Sequence, residues 1–146
     1  MYFDVELKNE KTDWKAFEKQ VNDVFESFGY TAEADVRFKT TRRFQIDVVA
    51  YDEKRCFFVD CKDHAYIPPS EEDEFLQKQR IRAENLIKIR PDLTYKKKIV
   101  LLVTRNRTNS LLQHSESTGN IFGVDMSGLR ELLINLPLYE DDLFSF

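Results

Sequence analysis

Three charged side chains set into apolar stretches carry the chemistry this sequence can offer. Asp47 lies in FQIDVVAY (residues 44–51), and Asp60 and Lys62 lie in CFFVDCK (residues 56–62). Carboxylates and ammonium groups are almost never fully buried unless paired or bound to something. The polar loop Asp52-Glu53-Lys54-Arg55 joins the two runs, and a type I turn accommodates it without glycine. If Tyr51 pairs with Cys56, then Val49 faces Phe58, Asp47 faces Asp60 and Gln45 faces Lys62. Side chains directly opposite lie about 5 Å apart at Cβ, so the two carboxylates would repel. A cation between them, or a proton on one of them, resolves the conflict. Hard cations such as Mg²⁺ take one or two carboxylates, keep several waters and add a substrate phosphate. Such an ion lowers the pKa of a bound water. Lys62 beside it could orient or help deprotonate that water, or stabilise charge growing on a phosphate. This is the chemistry of a metal-assisted phosphodiester hydrolase. Taken alone, Asp60 and Lys62 also fit an exposed ion pair at a strand end, because structural ion pairs are common.

Elements on either side must hold these residues. The register above gives the hairpin one wholly apolar face: Ile46, Val48, Ala50, Phe57, Val59 and Cys61. Before it, Trp14, Phe17, Val21, Val24, Phe25 and Phe28 recur at steps of three and four, which predicts a helix over 13–28. Thr12 or Asp13 can cap its start, and Gly29 supplies a left-handed stop. Glu18 lies at the edge of that stripe beside Trp14 and Phe25. Ala32, Ala34, Val36 and Phe38 alternate with charges, predicting a half-exposed strand over 32–39 before the turn KTTRR. After the hairpin, residues 64–69 read as a loop in which His64 could border the site. A second helix opens at Ser70 with Asp73 in a capping-box position and stops at Pro91, burying Leu76, Ala83, Leu86 and Ile87. IVLLVT (99–104) predicts a strand covered on both faces. Residues 105–120 read as a loop with a short helical turn around 111–114. A short strand over 121–124 and a helix from Ser127 or Gly128 to Leu136 complete the pattern. The order α-β-β-β-α-β-(α)-β-α implies an α/β fold, a mixed central sheet flanked by helices.

Composition sets the outer bounds. The chain has 146 residues, 42% hydrophobic and 33% charged, with four glycines and four prolines, as expected of one folded domain. That domain is expected over residues 1–136, with an acidic, aromatic tail over 137–146. No apolar run reaches membrane-spanning length and the opening residues lack the pattern of a signal peptide, so a cytoplasmic location is expected. Cys56 and Cys61 fall on opposite faces of one strand and cannot bridge. Two cysteines also exclude a four-cysteine metal centre. The net charge of −4 excludes a basic nucleic-acid binder as a whole, yet basic clusters at 39–43 and 78–82 leave room for a local basic face.

Asp47, twelve residues, then Asp60-Cys61-Lys62 resembles the Asp…(Asp/Glu)-X-Lys signature of the restriction-endonuclease-like nucleases, written PD-(D/E)XK. The predicted α-β-β-β-α-β order resembles that superfamily's core, with the first acid on its second strand and the acid–Lys pair on its third. Phe17-Glu18 and Gly29-Tyr30 resemble the archaeal Holliday-junction resolvases and Mrr-like branches. Ile46 stands where the signature has proline, and Asp60 where glutamate is common. Neither Gln77 nor Gln79 completes the Gln-X-X-X-Tyr found on the next helix in some branches.

The resemblance implies an endonuclease acting on DNA. It implies that Asp47, Asp60 and the Cys61 backbone carbonyl hold Mg²⁺, with Mn²⁺ able to substitute, that Glu18 assists directly or through water, and that Lys62 serves the attacking water. Lys39, Arg42, Arg43, Lys78 and Arg82 are the candidates for phosphate contacts. A homodimer would supply two sites for two strands. The tail, with Glu140-X-X-Leu143-X-X-Phe146 distantly similar to clamp-docking peptides, is a candidate protein contact, although packing on its own domain or a second subunit fits it better. Two other readings stay open: a non-catalytic module that keeps the fold to bind nucleic acid or a partner, and a nuclease directed at RNA.

Overall fold

The computed structural model describes residues 2–62, 67–105, 112–114 and 120–146, with side chains for all of these except 2–12, 69 and 112–114. His64 therefore lies outside the described residues. The first helix, α1 (Tyr2–Ser27), starts earlier than the apolar stripe predicts. Residues 2–12 contain no glycine or proline and several good helix formers, so nothing at Thr12 or Asp13 interrupts the backbone. At its other end Gly29 adopts φ +90°, the left-handed stop that the sequence suggests.

Six strands follow in one sheet: β1 (Thr31–Lys39), β2 (Arg43–Tyr51), β3 (Arg55–Lys62), β4 (Lys97–Thr104), β5 (Leu112–His114) and β6 (Ile121–Asp125). Their spatial order is β1-β2-β3-β4-β6-β5. Pairing is antiparallel from β1 to β3, parallel across β3-β4-β6, and antiparallel again for β5. The sheet is mixed, as expected. Helix α2 (Glu72–Ile89) provides the crossover between the parallel neighbours β3 and β4. Helices α3 (Met126–Ile134) and α4 (Leu136–Tyr139) follow β6.

Two local readings are corrected. The expected helical turn around 111–114 is strand β5, bonded to β6, because so short an apolar stretch has no periodicity with which to tell helix from strand. The expected capping box at Ser70 and Asp73 does not form. Residues Pro69–Glu71 make a 3-10 turn in which the Glu71 N–H donates to the Pro68 carbonyl at 2.8 Å, and Glu71, without a side-chain cap, precedes the α-helix. The acids Glu72, Asp73 and Glu74 still occupy its first turn, where the helix dipole favours them.

The sheet is packed on both faces. On the α1 side Phe17, Val21 and Phe25 meet Val48, Phe57, Val59, Leu101 and Leu129. Phe25 is fully buried with its ring 5.3 Å from that of Phe57, and truncating such a phenylalanine costs about 3–5 kcal/mol. On the α2 side Ala83 and Leu86 meet Ile46, Val49, Cys56 and Phe58. Ile46 thus does not share the face of Val48 and Ala50, as strict alternation predicts. β1 makes the same switch, since Ala32 packs on the α1 side while Val36 and Phe38 pack on the α2 side. Asp35, at φ +52°, sits between them in the left-handed region and reverses the alternation.

The chain's last residues are built into the sheet. Leu143 is buried among the α1-side core residues. The Val100 N–H donates to the Phe144 carbonyl at 3.1 Å and the Phe146 N–H to the Lys98 carbonyl at 3.0 Å, so residues 144–146 lie along the first half of β4. The Phe146 ring packs 6.3 Å from Phe58.

Candidate active site

The hairpin pairs in the expected register near its turn: Tyr51 opposite Cys56, Val49 opposite Phe58, Val48 opposite Val59. The ladder then stops. Asp47 is not paired with Asp60, nor Gln45 with Lys62, which corrects the continuous register expected from the turn. The Asp47 side chain takes over from the backbone, its Oδ2 accepting the Cys61 N–H at 2.8 Å. A carboxylate that replaces a ladder bond satisfies the amide and parts the strands. Into the parting point Asp47, Asp60 and Lys62, which line one cleft of about 830 Å³.

The electrostatics of that cleft are unbalanced. Asp60 is mostly buried, and its pKa is pushed up to about 7, first by burial and then by the hydrogen bond and negative charge of Asp47. Lys62 and Arg82 pull the other way without cancelling the shift. Lys62 Nζ lies 3.7 Å from Asp60 Oδ2 and 5.9 Å from the centre of the Phe75 ring, half exposed to the cleft. Asp60 therefore keeps its proton up to about pH 7, where a cation beside it would favour the charged form.

Glu18 stands behind this pair. It is buried at 8% exposure on α1, and its pKa is raised by burial, then by Asp47, then by Asp35. It does not line the cleft. Cys61 is buried, and its thiol is pushed up by burial and by Asp47, Asp60 and Glu18, which leaves it inert. Its backbone lies in the parallel pairing with Val103, between the two cleft residues Asp60 and Lys62.

The rest of the cleft wall comes from α2 and from the start of β2 with the turn before it. Arg42, Arg43, Lys78 and Arg82 all line the cleft, while Lys39 does not. Arg42 is stacked 4.8 Å over Phe44, and Lys78 is held at 3.0 Å by Glu74. Gln79, unlike Gln77, is buried in this wall and accepts a hydrogen bond from the Arg82 guanidinium. Phe75 and Gln79 are the lining residues hardest to find in the sequence. Phe75 and Gln79 face the cleft through the roll of a long helix that also turns Glu74, Lys78 and Arg82 toward it. Asp35 looks like one more outward charge on an alternating strand.

Among the described residues no three His, Cys, Asp or Glu side chains converge as a metal cage. Two adjacent carboxylates are nonetheless the donor set a hydrated Mg²⁺ uses, with waters and substrate oxygens completing the shell. The Asp60 pKa is raised first by burial and then by Asp47, and a cation beside the two acids would oppose both effects. The residues present fit a divalent cation.

An αβββαβ core with an acid on the second strand and Asp-X-Lys on the third defines a nuclease-like domain of the PD-(D/E)XK type. The comparison of sequences agrees: residues 13–117 match the nuclease-related domain, NERD, and the chain belongs to that family. No curated protein matches the chain. A crystal structure of a protein of unknown function, AF1548, is similar at a TM-score of 0.45 and 12% identity, over 82% of this chain and 52% of that one. The chain thus spans about half the length of that protein. No helix among the described residues is long and apolar enough to cross a membrane.

Proposed function

We propose that this domain is a metal-dependent endonuclease that hydrolyses DNA phosphodiester bonds. The observation that carries the reading is the convergence of Asp47, Asp60 and Lys62 in one cleft whose lining also carries Arg42, Arg43, Lys78 and Arg82. Asp47 and Asp60, with the Cys61 carbonyl and with Glu18 through water, would hold Mg²⁺ or Mn²⁺, which when bound supplies an acidified water and positive charge beside the scissile phosphate. Glu18 lies outside the cleft lining, so its part is the indirect one. The arginines and Lys78 bind backbone phosphates, which positions the strand without reading its sequence. Lys62 donates to the attacking water or to a non-bridging phosphate oxygen, orienting the one against the other. Cutting both strands at one place requires two such clefts, which a homodimer would supply.

A panel of labelled DNA and RNA structures incubated with Mg²⁺, beside the Asp60→Ala protein, tests this reading. Cleavage of DNA by the wild type alone is expected. Equal cleavage by both proteins removes the site assignment, and cleavage confined to RNA changes the substrate. No cleavage of any strand together with no Mg²⁺ or Mn²⁺ binding by calorimetry leaves a non-catalytic binding module.

A further inference from the structure

We infer that Asp35 is the positioning residue of this site, acting on Asp47 through the backbone. This rests on the reading of Asp47 as a working acid. In the β1–β2 ladder Ala34 pairs with Val48 and Val36 with Ile46, yet the intervening Asp35 and Asp47 are not paired. At that step Asp35 holds φ +52°. Both strands exchange their faces there, Ala32 and Val48 packing on the α1 side and Val36 and Ile46 on the α2 side. A left-handed residue in an otherwise extended strand produces such a reversal, and among non-glycine residues Asp and Asn tolerate that region best.

The carboxylate of Asp35 also accepts hydrogen bonds beside the distorted segment. Its Oδ1 accepts from Arg37 Nε at 2.9 Å and from Gln45 Nε2 at 2.7 Å, tying β1 to the residue two before Asp47. Asp47 sits where the reversal ends. It is released from both neighbouring ladders, which lets its carboxylate reach the Cys61 N–H and the cleft together. A regular β1 would return Ile46 to the face of Val48 and draw Asp47 back into the sheet. The reversal, with Asp35 at its centre, sets where the acid points.

The backbone and the side chain of Asp35 separate by substitution. Asp35→Gly keeps the left-handed conformation and loses the carboxylate, Asp35→Asn keeps both the conformation and a hydrogen-bonding group, and Asp35→Val opposes the conformation. Two readouts are taken on each: Mg²⁺-dependent cleavage, and hydrogen exchange at the Cys61 amide, which reports the Asp47 carboxylate whether or not the protein cleaves anything. The expected result is that Gly and Asn keep wild-type kcat and Cys61 protection. Val is expected to lose Cys61 protection and about 100-fold in kcat with KM little changed, the scale of a small misplacement of a reacting group. Asp35→Ala, a milder opponent of positive φ, replaces Val if the Val protein does not fold. Val or Ala protein with full Cys61 protection overturns the inference, as does Asp35→Gly with protection lost. If the wild type cleaves nothing, the proposed function fails, and the exchange data alone decide the part played by Asp35.

Discussion

The two ends of the β2–β3 hairpin use the same side chain for opposite purposes. At the turn, Asp52 accepts the N–H groups of Lys54 and Arg55 at 2.9 and 2.8 Å, and Arg55 reaches Glu140 at 2.8 Å. Acceptors there meet donors, and the closed turn starts a regular ladder. At the open end Asp47 gives one oxygen to Cys61 N–H, Asp60 lies beside it, and Lys62 at 3.7 Å is too distant and too exposed to neutralise both. One end has the local consistency expected of a structural element. The other breaks it, and such breaks collect at functional sites.

The largest effect should come from removing a charge at the open end. Asp60→Asn, close to isosteric, should lower metal-dependent cleavage by at least about 100-fold, the scale on which preorganised electrostatic groups contribute. Its thermal unfolding midpoint without divalent cation at pH 8 should equal or exceed that of the wild type, because the substitution removes a repulsive buried charge. Cleavage assays and melting curves on one preparation check both halves. A variant that loses activity through lower stability would place Asp60 with the structural acids.

The pH dependence sharpens the same contrast. The folded-state pKa of Asp60 is raised, so its contribution to stability is fully present below the ordinary carboxylate range and is lost as pH rises through about 7. Without divalent cation, the midpoint difference between wild type and Asp60→Asn should move against the wild type from pH 4 to pH 8. Mg²⁺ should recover more at pH 8 than at pH 5, since it must displace the Asp60 proton at the lower pH. Binding measured below pH 7 in buffers of different ionisation enthalpy should show proton release. A difference that stays flat with pH would mean that neither burial nor Asp47 raises the Asp60 pKa in the folded protein.

How far this contrast could be read in advance differs between its two ends. Turn-end pairing followed from a four-residue polar loop between two apolar runs, and the helix that covers the hairpin followed from a 3.6-residue stripe. Placement of Asp47, Asp60 and Lys62 in one cleft followed from counting back from that turn, although the ladder does not continue to them. The count worked because the two strands part without slipping. What period-two reasoning could not supply was the reversal at Asp35, because one residue at positive φ leaves no trace in a pattern of apolar and polar letters. Strict alternation therefore places Ile46 on the wrong face. The basic wall was legible only as clusters. Which residues of α2 face the cleft depends on how that helix rolls against the sheet, whereas Lys39, at the end of β1, does not line it.

For the basic residues of the cleft, the effects should be smaller and graded. Arg42→Ala, Arg43→Ala and Lys78→Ala should each weaken DNA binding roughly uniformly across sequences and lower the slope of log K against log salt by about 1. Lys39→Ala, outside the cleft lining, should change neither. Arg82→Ala should do more, because Arg82 also lowers the Asp60 pKa and donates to the buried Gln79. Titrations at several salt concentrations distinguish these cases, and an equal slope change for Lys39 would mean that the strand runs outside the cleft.

The smallest effect closes the comparison from the turn end. Asp52→Ala removes an acceptor from two backbone amides in a turn that stays partly open to water, where solvent can replace part of what is lost. A cost of about 1–2 kcal/mol is expected, seen as a lower denaturant midpoint at unchanged slope. Cleavage per folded molecule should not change, since the pairs from Tyr51–Cys56 to Val48–Val59 lie between the turn and the cleft. The two aspartates should then separate on both axes: Asp52→Ala costs stability and spares activity, whereas Asp60→Asn costs activity and spares stability. If Asp52→Ala also lowers kcat at temperatures where the protein is fully folded, the register set at the turn is transmitted to the open end, and the hairpin works as one unit.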